Sequence, residues 1–535
     1  MNNVFRLFKS PFQTFKFNVQ LWKYKNRLKI VRNFCSGGDG GCEPERKGII
    51  LGVYEGDNGE PILSSAAKKY NDCTDGKFFE LIKSSGTTLK VGEALLFTNL
   101  DTEFCAVAAV GLGHPNLCYN ELECIDEGTE ASRRAAGAGI QRLKMSRLHR
   151  VLIEGLGHPE QAAEGAALAL WRYQDNKLHK SMIPSIELHD DPDTESFQRG
   201  LFKAECQNLA RRLSDTPGNQ MTPLHFAQET VNELCPCGIK VEVHDKDWIE
   251  SKKMNAFLTV ARGSCEPPIF LELHYCGEPA DVKPIMLAAK GITFDSGGLS
   301  LKRTRIMSDN RGDMAGAAII VAVMKAVAAL SIPLNITGLI PLCENMPSGM
   351  AMKPGDVVCG LNGKTIMIED ADHEGRMLLA DTFVYGQGTF KPRMVIDFAT
   401  LMPGTEGAIG SSASSVFTNS ENLWAQVRKA SVITGDRVWR FPIWEYFGKK
   451  LRKFPSHDVD NRGEGAVNAC NATAFLREFL QCVDWMHVDI TNSGMVMKNK
   501  NISYLTKRRM TGRPTRTIIQ LLYQLANPSE QKPKC

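Results

Sequence analysis

Beyond Thr222, short apolar runs rich in β-branched residues alternate with longer helix-like segments, and this order restricts the fold more than any other feature. The runs are VEVHD, PIFLELHY, KPIMLAAKG, LNITGLIPL and RMVIDFAT, with MAGAAIIVAVMKAVAAL and GRMLLADTFVYG between them. A run that is apolar at nearly every position needs cover on both faces, and an intervening helix supplies both the cover and the crossover. The expected product is a mostly parallel or mixed sheet with helices on either side. In such sheets ligands bind where loops leave the carboxyl ends of the strands.

The same alternation occurs upstream. GIILGVY, FCAVAAVGL and RVLIEGL read as buried strands and AAEGAALALWRY as a helix, which makes residues 47–201 a smaller α/β domain of ordinary size. FKAECQNLARRLSDTPGNQMTP reads as a helix stopped by Pro217 and Gly218, so residues 202–221 are expected to join that domain to a larger one over 222–535. The fold class expected is α/β, in a two-domain subunit.

Residues 1–36 differ from the rest: they hold eight Lys or Arg, several aromatics and no acid. That composition predicts a mitochondrial transit segment with the matrix as destination; a basic arm on a cytoplasmic protein is the alternative. Its removal would take the formal charge from +4 to −4, because eight positive residues go. Charges elsewhere are mixed in sign, so no nucleic-acid-binding face is expected. No apolar run reaches the length of a membrane span, which predicts a soluble chain without membrane insertion. The sixteen cysteines are scattered, with Cys235 and Cys237 the closest pair and no CxxC, so reduced thiols are expected rather than a disulfide framework.

Three strand ends carry residues with chemistry. Lys290 follows PIMLAA directly, and Asp295, Gly297, Gly298 and Lys302 come after it. Asp313 opens the long apolar helix, and IEDADHEGRMLLAD brings Asp370, Asp372, Glu374 and Arg376. In extended backbone, residues i and i+2 share a side, so Asp372 and Glu374 converge. With Asp295 and Asp313 they place four carboxylates at one sheet edge, a density that requires counter-charge. Two divalent cations supply it, and a pair about 3.5–4 Å apart activates a water and clamps a displacement. Lys302 and Arg376 add positive charge for a developing oxyanion, and the two glycines allow a tight loop. Singly, Asp313 reads as a helix cap and a strand-end lysine as one that reaches solvent. Together these residues predict a di-metal hydrolase.

The motifs KGITFDSGGLSLK, PLCENMPSGMAMKPGDVV, LNGKTIMIEDADHEGRMLLADTF and MTGRPTRT, with ITGDRVWR and NACNATAFLREF, resemble the leucyl aminopeptidase (M17, cytosol aminopeptidase) family. The resemblance runs from about Gly48 to the C-terminal region. It implies a metal-dependent exopeptidase that releases N-terminal residues, Leu-like or of altered preference, from short peptides through a metal-bridging water. It also implies a homohexamer with two metal ions per subunit, zinc or manganese, with magnesium a further candidate. By resemblance Asp295 and Glu374 bridge the metals, Lys290 and Asp313 complete one site, and Asp372 completes the other. A neutral Lys290 would need the adjacent dication to lower its pKa. Lys302 would polarise the scissile carbonyl, and Arg376 would hold a bicarbonate acting as base. Asn310, Thr400, Leu401, Pro403 and Met510 fall at substrate-binding positions.

Several surroundings depart from the family pattern. Asp370 adds negative charge beside the cage, and His373 adds a ring that extended backbone would turn away from its neighbours. Asn310 stands where the family has an apolar wall residue, which weakens a preference for Leu by about 1–2 kcal/mol. Pro403 stands where the family's glycine offers a backbone N–H to the peptide; proline has none, and one lost donor costs about 1–3 kcal/mol. Two readings follow: an aminopeptidase with altered specificity, or a catalytically weak member kept for assembly, similar to the divergent relatives that serve as bulk structural proteins in insect sperm mitochondria. The complete set of cage residues favours the first.

Overall fold

The structure is a computed structural model and describes residues 45–401, 403–465, 468–497 and 502–527, so the expected transit segment, residues 1–36, lies outside the described residues. Two sheets organise the chain. The first has six strands, and Lys47–Glu55 lies at its centre between Ala106–Gly113 and Arg150–Ile153, parallel to both. Ser185–Leu188 extends it in parallel, and Ala94–Phe97 and Pro61–Leu63 add antiparallel pairs. Side-chain alternation accounts for the unbroken apolar runs. Ala106, Ala108 and Val110 face the helices Glu127–Leu143 and Pro159–Leu170, while Val107 and Ala109 face Tyr70, Phe78 and Ile82 on the other side.

The second sheet has nine strands. Its centre is parallel, in the order Asp484–Asp489, Met394–Ala399, Ile285–Ala289, Asn335–Asn345, and Gly291–Asp295 pairs in parallel with the last of these. Both flanks turn antiparallel: Ser414–Thr418 against Asp484–Asp489, and Ile269–Cys276 against both Asn335–Asn345 and Lys240–His244. The sheet is therefore mixed: parallel at its centre, antiparallel on both flanks, and parallel again at one edge, where Val438–Arg440 pairs with Ser414–Thr418. Met286, Ala288, Val395 and Ala399 pack against Met377, Leu378 and Phe383 of the helix Gly375–Phe390. The helix Ala315–Ala329 lies against the opposite face, where a Cβ on Gly316 would come within 2.3 Å of the Phe398 carbonyl oxygen.

That helix corrects one expectation. Ser308–Ala329 is long and apolar enough to span a membrane, with mean hydropathy 1.7 over its most apolar window. Yet 89% of that window is buried inside the fold, so the sheet and its neighbouring helices account for the apolar character. The helix expected within 202–221 runs Thr194–Asp215, started by the Asp193 side chain accepting from the Ser196 N–H and finished before Pro217.

A buried ionic network ties the N-terminal sheet's helices to the C-terminal helix Thr515–Ala526. Glu164 Oε2 receives Arg133 Nε at 2.8 Å and Arg516 Nη1 at 2.5 Å; Arg516 also reaches Gln207 Oε1 at 2.7 Å and the Thr434 carbonyl at 2.9 Å. Both guanidiniums and the carboxylate are out of solvent. Removing the carboxylate would leave two buried cations without their shared partner, which costs about 3–5 kcal/mol. Glu164→Ala is accordingly expected to lower Tm by several degrees in a thermal melt; an unchanged Tm would show that the network carries no net stability.

Candidate metal centre

The candidate site residues come together at the carboxyl ends of the parallel strands. Lys290 sits between Ile285–Ala289 and Gly291–Asp295, and Asp295 is the last residue of the second strand, in register with Asn345. Asp313 closes the 3-10 helix Ser308–Gly312, Glu374 opens Gly375–Phe390, and Thr400 follows Met394–Ala399. Lys290 Nζ lies 2.7 Å from Asp313 Oδ2 and 2.7 Å from Glu374 Oε1, and donates to the Thr400 carbonyl at 3.2 Å. Lys302 Nζ lies 2.8 Å from Asp295 Oδ2 and forms an ion pair with Asp372. Each lysine thus joins two of the four carboxylates. Carboxylate oxygens of Asp295, Asp372 and Glu374 all fall within 4.8 Å of one another, a separation that one or two cations can span.

The local sequence explains how so much charge fits. Gly375 carries no side chain because Lys290 fills that space: a Cβ there would sit 2.6 Å from Lys290 Cδ. Gly297 and Gly298 have φ of +86° and +60°, and the loop they form lets the Gly297 N–H donate to Asp295 Oδ1 at 2.8 Å. Thr400 Oγ1 donates to Asp313 Oδ1. Asn345, not singled out in the sequence, donates from one amide nitrogen to Asp295 Oδ1 at 2.9 Å and to the Ala371 carbonyl at 3.1 Å. Asn461 is a second such residue: its carbonyl accepts from Arg376 Nη1 at 2.6 Å, and its side chain donates to the Asp370 carbonyl at 2.7 Å. Both asparagines act on residues far away in sequence, so no local pattern announces them.

The segment before Glu374 is a turn and not extended backbone. His373 N–H donates to the Asp370 carbonyl, Asp372 N–H donates to Asp370 Oδ1, and Glu374 already has helical φ and ψ. Asp372 and Glu374 still converge, but through the turn and not through strand alternation. His373 is packed inside, its Nδ1 without a hydrogen-bond partner. Burial, then the neighbouring Arg376, push its pKa down to about 3, so the ring is neutral.

The remaining candidates divide. Thr400 and Leu401 are buried beside the cage, and Met510 packs with its methyl carbon where a Cβ on Gly312 would go. Asn310 is half-buried, and its amide nitrogen is shielded without a hydrogen-bond partner. Pro403 opens the short 3-10 helix Pro403–Thr405. Arg376 forms no ion pair with a cage carboxylate among the described residues; its Nε and Nη2 are buried and unbonded.

The electrostatics show what the cage requires. Burial pulls Lys290 down, but Asp313 and Glu374 outweigh it and hold the lysine well above its ordinary range. Lys302 is raised in the same way, chiefly by Asp295. Burial lifts Asp372 to about 6 and, with Asp295 close by, lifts Glu374 to about 8. Carboxylates that hold protons near neutrality among two lysines lack positive charge, and the donor set of hard oxygens suits divalent cations. The residues fit such ions.

Fold and site together define an α/β protein of two domains with a largely buried carboxylate cluster whose donors fit divalent cations. The catalytic-domain pattern of the cytosol aminopeptidase family matches residues 208–519, and that family's N-terminal-domain pattern matches residues 50–180. The chain is 44% identical over 489 residues to a cytosol aminopeptidase of Bos taurus, covering 90% of this chain and 93% of the relative. It is 43% identical over 486 residues to one of Homo sapiens, with the same coverage. Among solved structures, the bottromycin maturation enzyme BotP in complex with Mn superposes with a TM-score of 0.77 at 28% identity, covering 90% of this chain and 99% of that one. A tomato leucine aminopeptidase variant shares the fold, with a TM-score of 0.75 at 23% identity over 91% of this chain and 95% of that one. The chain belongs to the cytosol aminopeptidase family.

A pH dependence follows from the raised carboxyls. Between pH about 4.5 and 8 the folded, metal-stripped protein keeps a proton on Glu374 that the unfolded chain releases, and Asp372 does the same up to about 6. Stability from these groups is therefore lost as pH rises through that window. Thermal melts of the stripped protein should show Tm falling from pH 5 to 8.5, a smaller fall in Glu374→Gln, and recovery at pH 8.5 on adding Mn2+. A flat profile shared by both proteins would contradict the assignment.

Proposed function

We propose that this chain is a metal-dependent aminopeptidase that removes the N-terminal residue from short peptides. The observation that carries the reading is the pairing of four carboxylates, three buried and Asp372 half-buried, with Lys290 and Lys302 at the carboxyl ends of one sheet. Asp295, Asp372 and Glu374, with Asp313 and Lys290 beside them, would hold two divalent cations, zinc or manganese, with magnesium a further candidate. Bound there, the two ions would make a shared water nucleophilic near neutral pH and take up charge from the substrate carbonyl. The free α-amine of a peptide is a natural ligand for the same centre, which confines cleavage to the first residue.

Lys302 is the most accessible cation of the cage, its side chain 17% exposed against 4% for Lys290. It would polarise the scissile carbonyl and stabilise the oxyanion. Arg376 offers two unbonded, buried nitrogens, Nε and Nη2, a fit for a small oxyanion such as bicarbonate that would accept the water's proton. Asn310, whose amide nitrogen is shielded and unbonded, would put a polar group in the substrate pocket and so move the preference away from Leu. We propose further that subunits self-associate as a homohexamer, a reading consistent with the exposed aromatic residues Trp439, Trp444 and Tyr446, and that the basic N-terminus directs the chain to the mitochondrial matrix.

One observation favours a second reading, a weak enzyme kept for assembly. Pro403 presents no backbone N–H at the substrate loop.

Steady-state kinetics on leucyl peptides test both readings. Lys302→Met should lower kcat by about 10²–10³-fold while metal content stays at the wild-type level. An unchanged kcat would remove Lys302 from the chemistry. Asn310→Met should raise kcat/KM for Leu relative to polar residues by roughly 5–30-fold, the equivalent of about 1–2 kcal/mol. Pro403→Gly should raise kcat/KM by roughly 5–100-fold if the missing donor limits the enzyme. No turnover in wild type or in Pro403→Gly, with the cage filled, would favour the structural role.

A further inference from the structure

Far from the cage in sequence, the edge of the nine-stranded sheet carries a second cluster of metal-type side chains. The register of Lys240–His244 against Ile269–Cys276 sets Glu242 directly opposite Glu272 and Phe270 opposite His244. Alternation puts His244 and His274 on the same face as the two glutamates. Like charges opposite each other across an antiparallel pair are unfavourable unless a cation lies between them. Lys240 pairs with one oxygen of Glu242, which leaves the other turned to His244.

The geometry is that of a ligand set. His244 Nε2 lies 3.2 Å from Glu272 Oε1 and 3.8 Å from Glu242 Oε2, and His274 Nε2 lies 3.5 Å from Glu272 Oε2. Metal–ligand bonds of about 2.0–2.2 Å in a tetrahedron put neighbouring ligand atoms roughly 3.3–3.6 Å apart. His244 Nε2 is shielded from solvent and has no hydrogen-bond partner even with that carboxylate nearby, so its axis does not serve the ion pair. The ring is held by stacking on Trp248, 3.8 Å between centroids with an interplanar angle of 9°. Glu272, 94% buried, is oriented by Tyr385 Oη donating to its Oε1 at 2.7 Å. Trp248, Phe270, Tyr385 and Phe390 wall the face, an apolar collar of the kind that excludes water from structural metal sites.

We propose that Glu242, His244 and Glu272, whose ligand atoms lie within 4.8 Å of one another, bind a zinc ion that fastens the edge strand Lys240–His244 to the sheet. One imidazole and two carboxylates suit zinc, and ligands drawn from two paired strands make the site a fastening between them. The site is separate from the peptidase cage and does not depend on it.

The test is zinc content per subunit of the full chain, measured by inductively coupled plasma mass spectrometry after dialysis in zinc-buffered solution. Wild type should hold one zinc more than His244→Gln and one more than Glu242→Gln, a milder change at a partly exposed residue. Both variants should keep wild-type peptide hydrolysis but lose the rise in Tm that zinc gives the parent. In an Asp372→Ala chain, where the cage is impaired, the edge zinc should remain and should go on adding His244→Gln. Equal zinc counts with and without His244→Gln would overturn the proposal and leave the cage reading untouched. If the cage reading alone fails, wild type holds the single edge zinc, which His244→Gln removes.

Discussion

The structure turns on one problem of charge: four carboxylates, three of them buried and Asp372 half-buried, crowd the end of a parallel sheet, where each unpaired charge is costly. Lys290 and Lys302 meet part of it by pairing with two carboxylates each. The rest shows as protons held on Asp372 and Glu374 well above their ordinary range, with burial as the leading cause. Divalent cations satisfy the same demand more fully. Metal binding at this site would therefore be coupled to proton release.

The fold serves that arrangement from several directions. Parallel strands deliver Lys290, Asp295 and Thr400 to one edge, and the mixed flanks keep the sheet long enough to bury it. Gly375 removes a side chain so that the lysine can enter, and Asn345 uses its amide to hold Asp295 and the Ala371 carbonyl in place. The network of Arg133, Glu164 and Arg516 holds the N-terminal layer against the helices behind the sheet. None of these supporting residues is a candidate ligand of the cage.

Much of this was legible in the sequence. RMVIDFAT and KPIMLAAKG read as buried strands because unbroken apolar runs between helical segments admit few other packings, and they are neighbours in the sheet. The carboxylates were legible because their number at successive strand ends exceeds what isolated caps or surface charges explain. Other parts were hidden. Gly291–Asp295 follows Ile285–Ala289 with only Lys290 between them, and Ser414–Thr418 is short and mostly polar, its burial a product of tertiary contacts. The turn at Asp370–Glu374 depends on Asp370 Oδ1 accepting from the Asp372 N–H and on Asn461 Oδ1, ninety-one residues away, accepting from the Asp370 N–H, which no window of sequence contains. The edge cluster at Glu242 and Glu272 likewise required knowing the register of two strands.

The most direct test of the account is release of the N-terminal residue from a short peptide by metal-stripped protein as Mn2+ is titrated back, with an Asp372→Ala chain alongside. Turnover absent without metal, restored by Mn2+ in wild type and not in the variant, is the predicted result. Turnover that survives stripping and the substitution alike, or none with the cage filled, would contradict it.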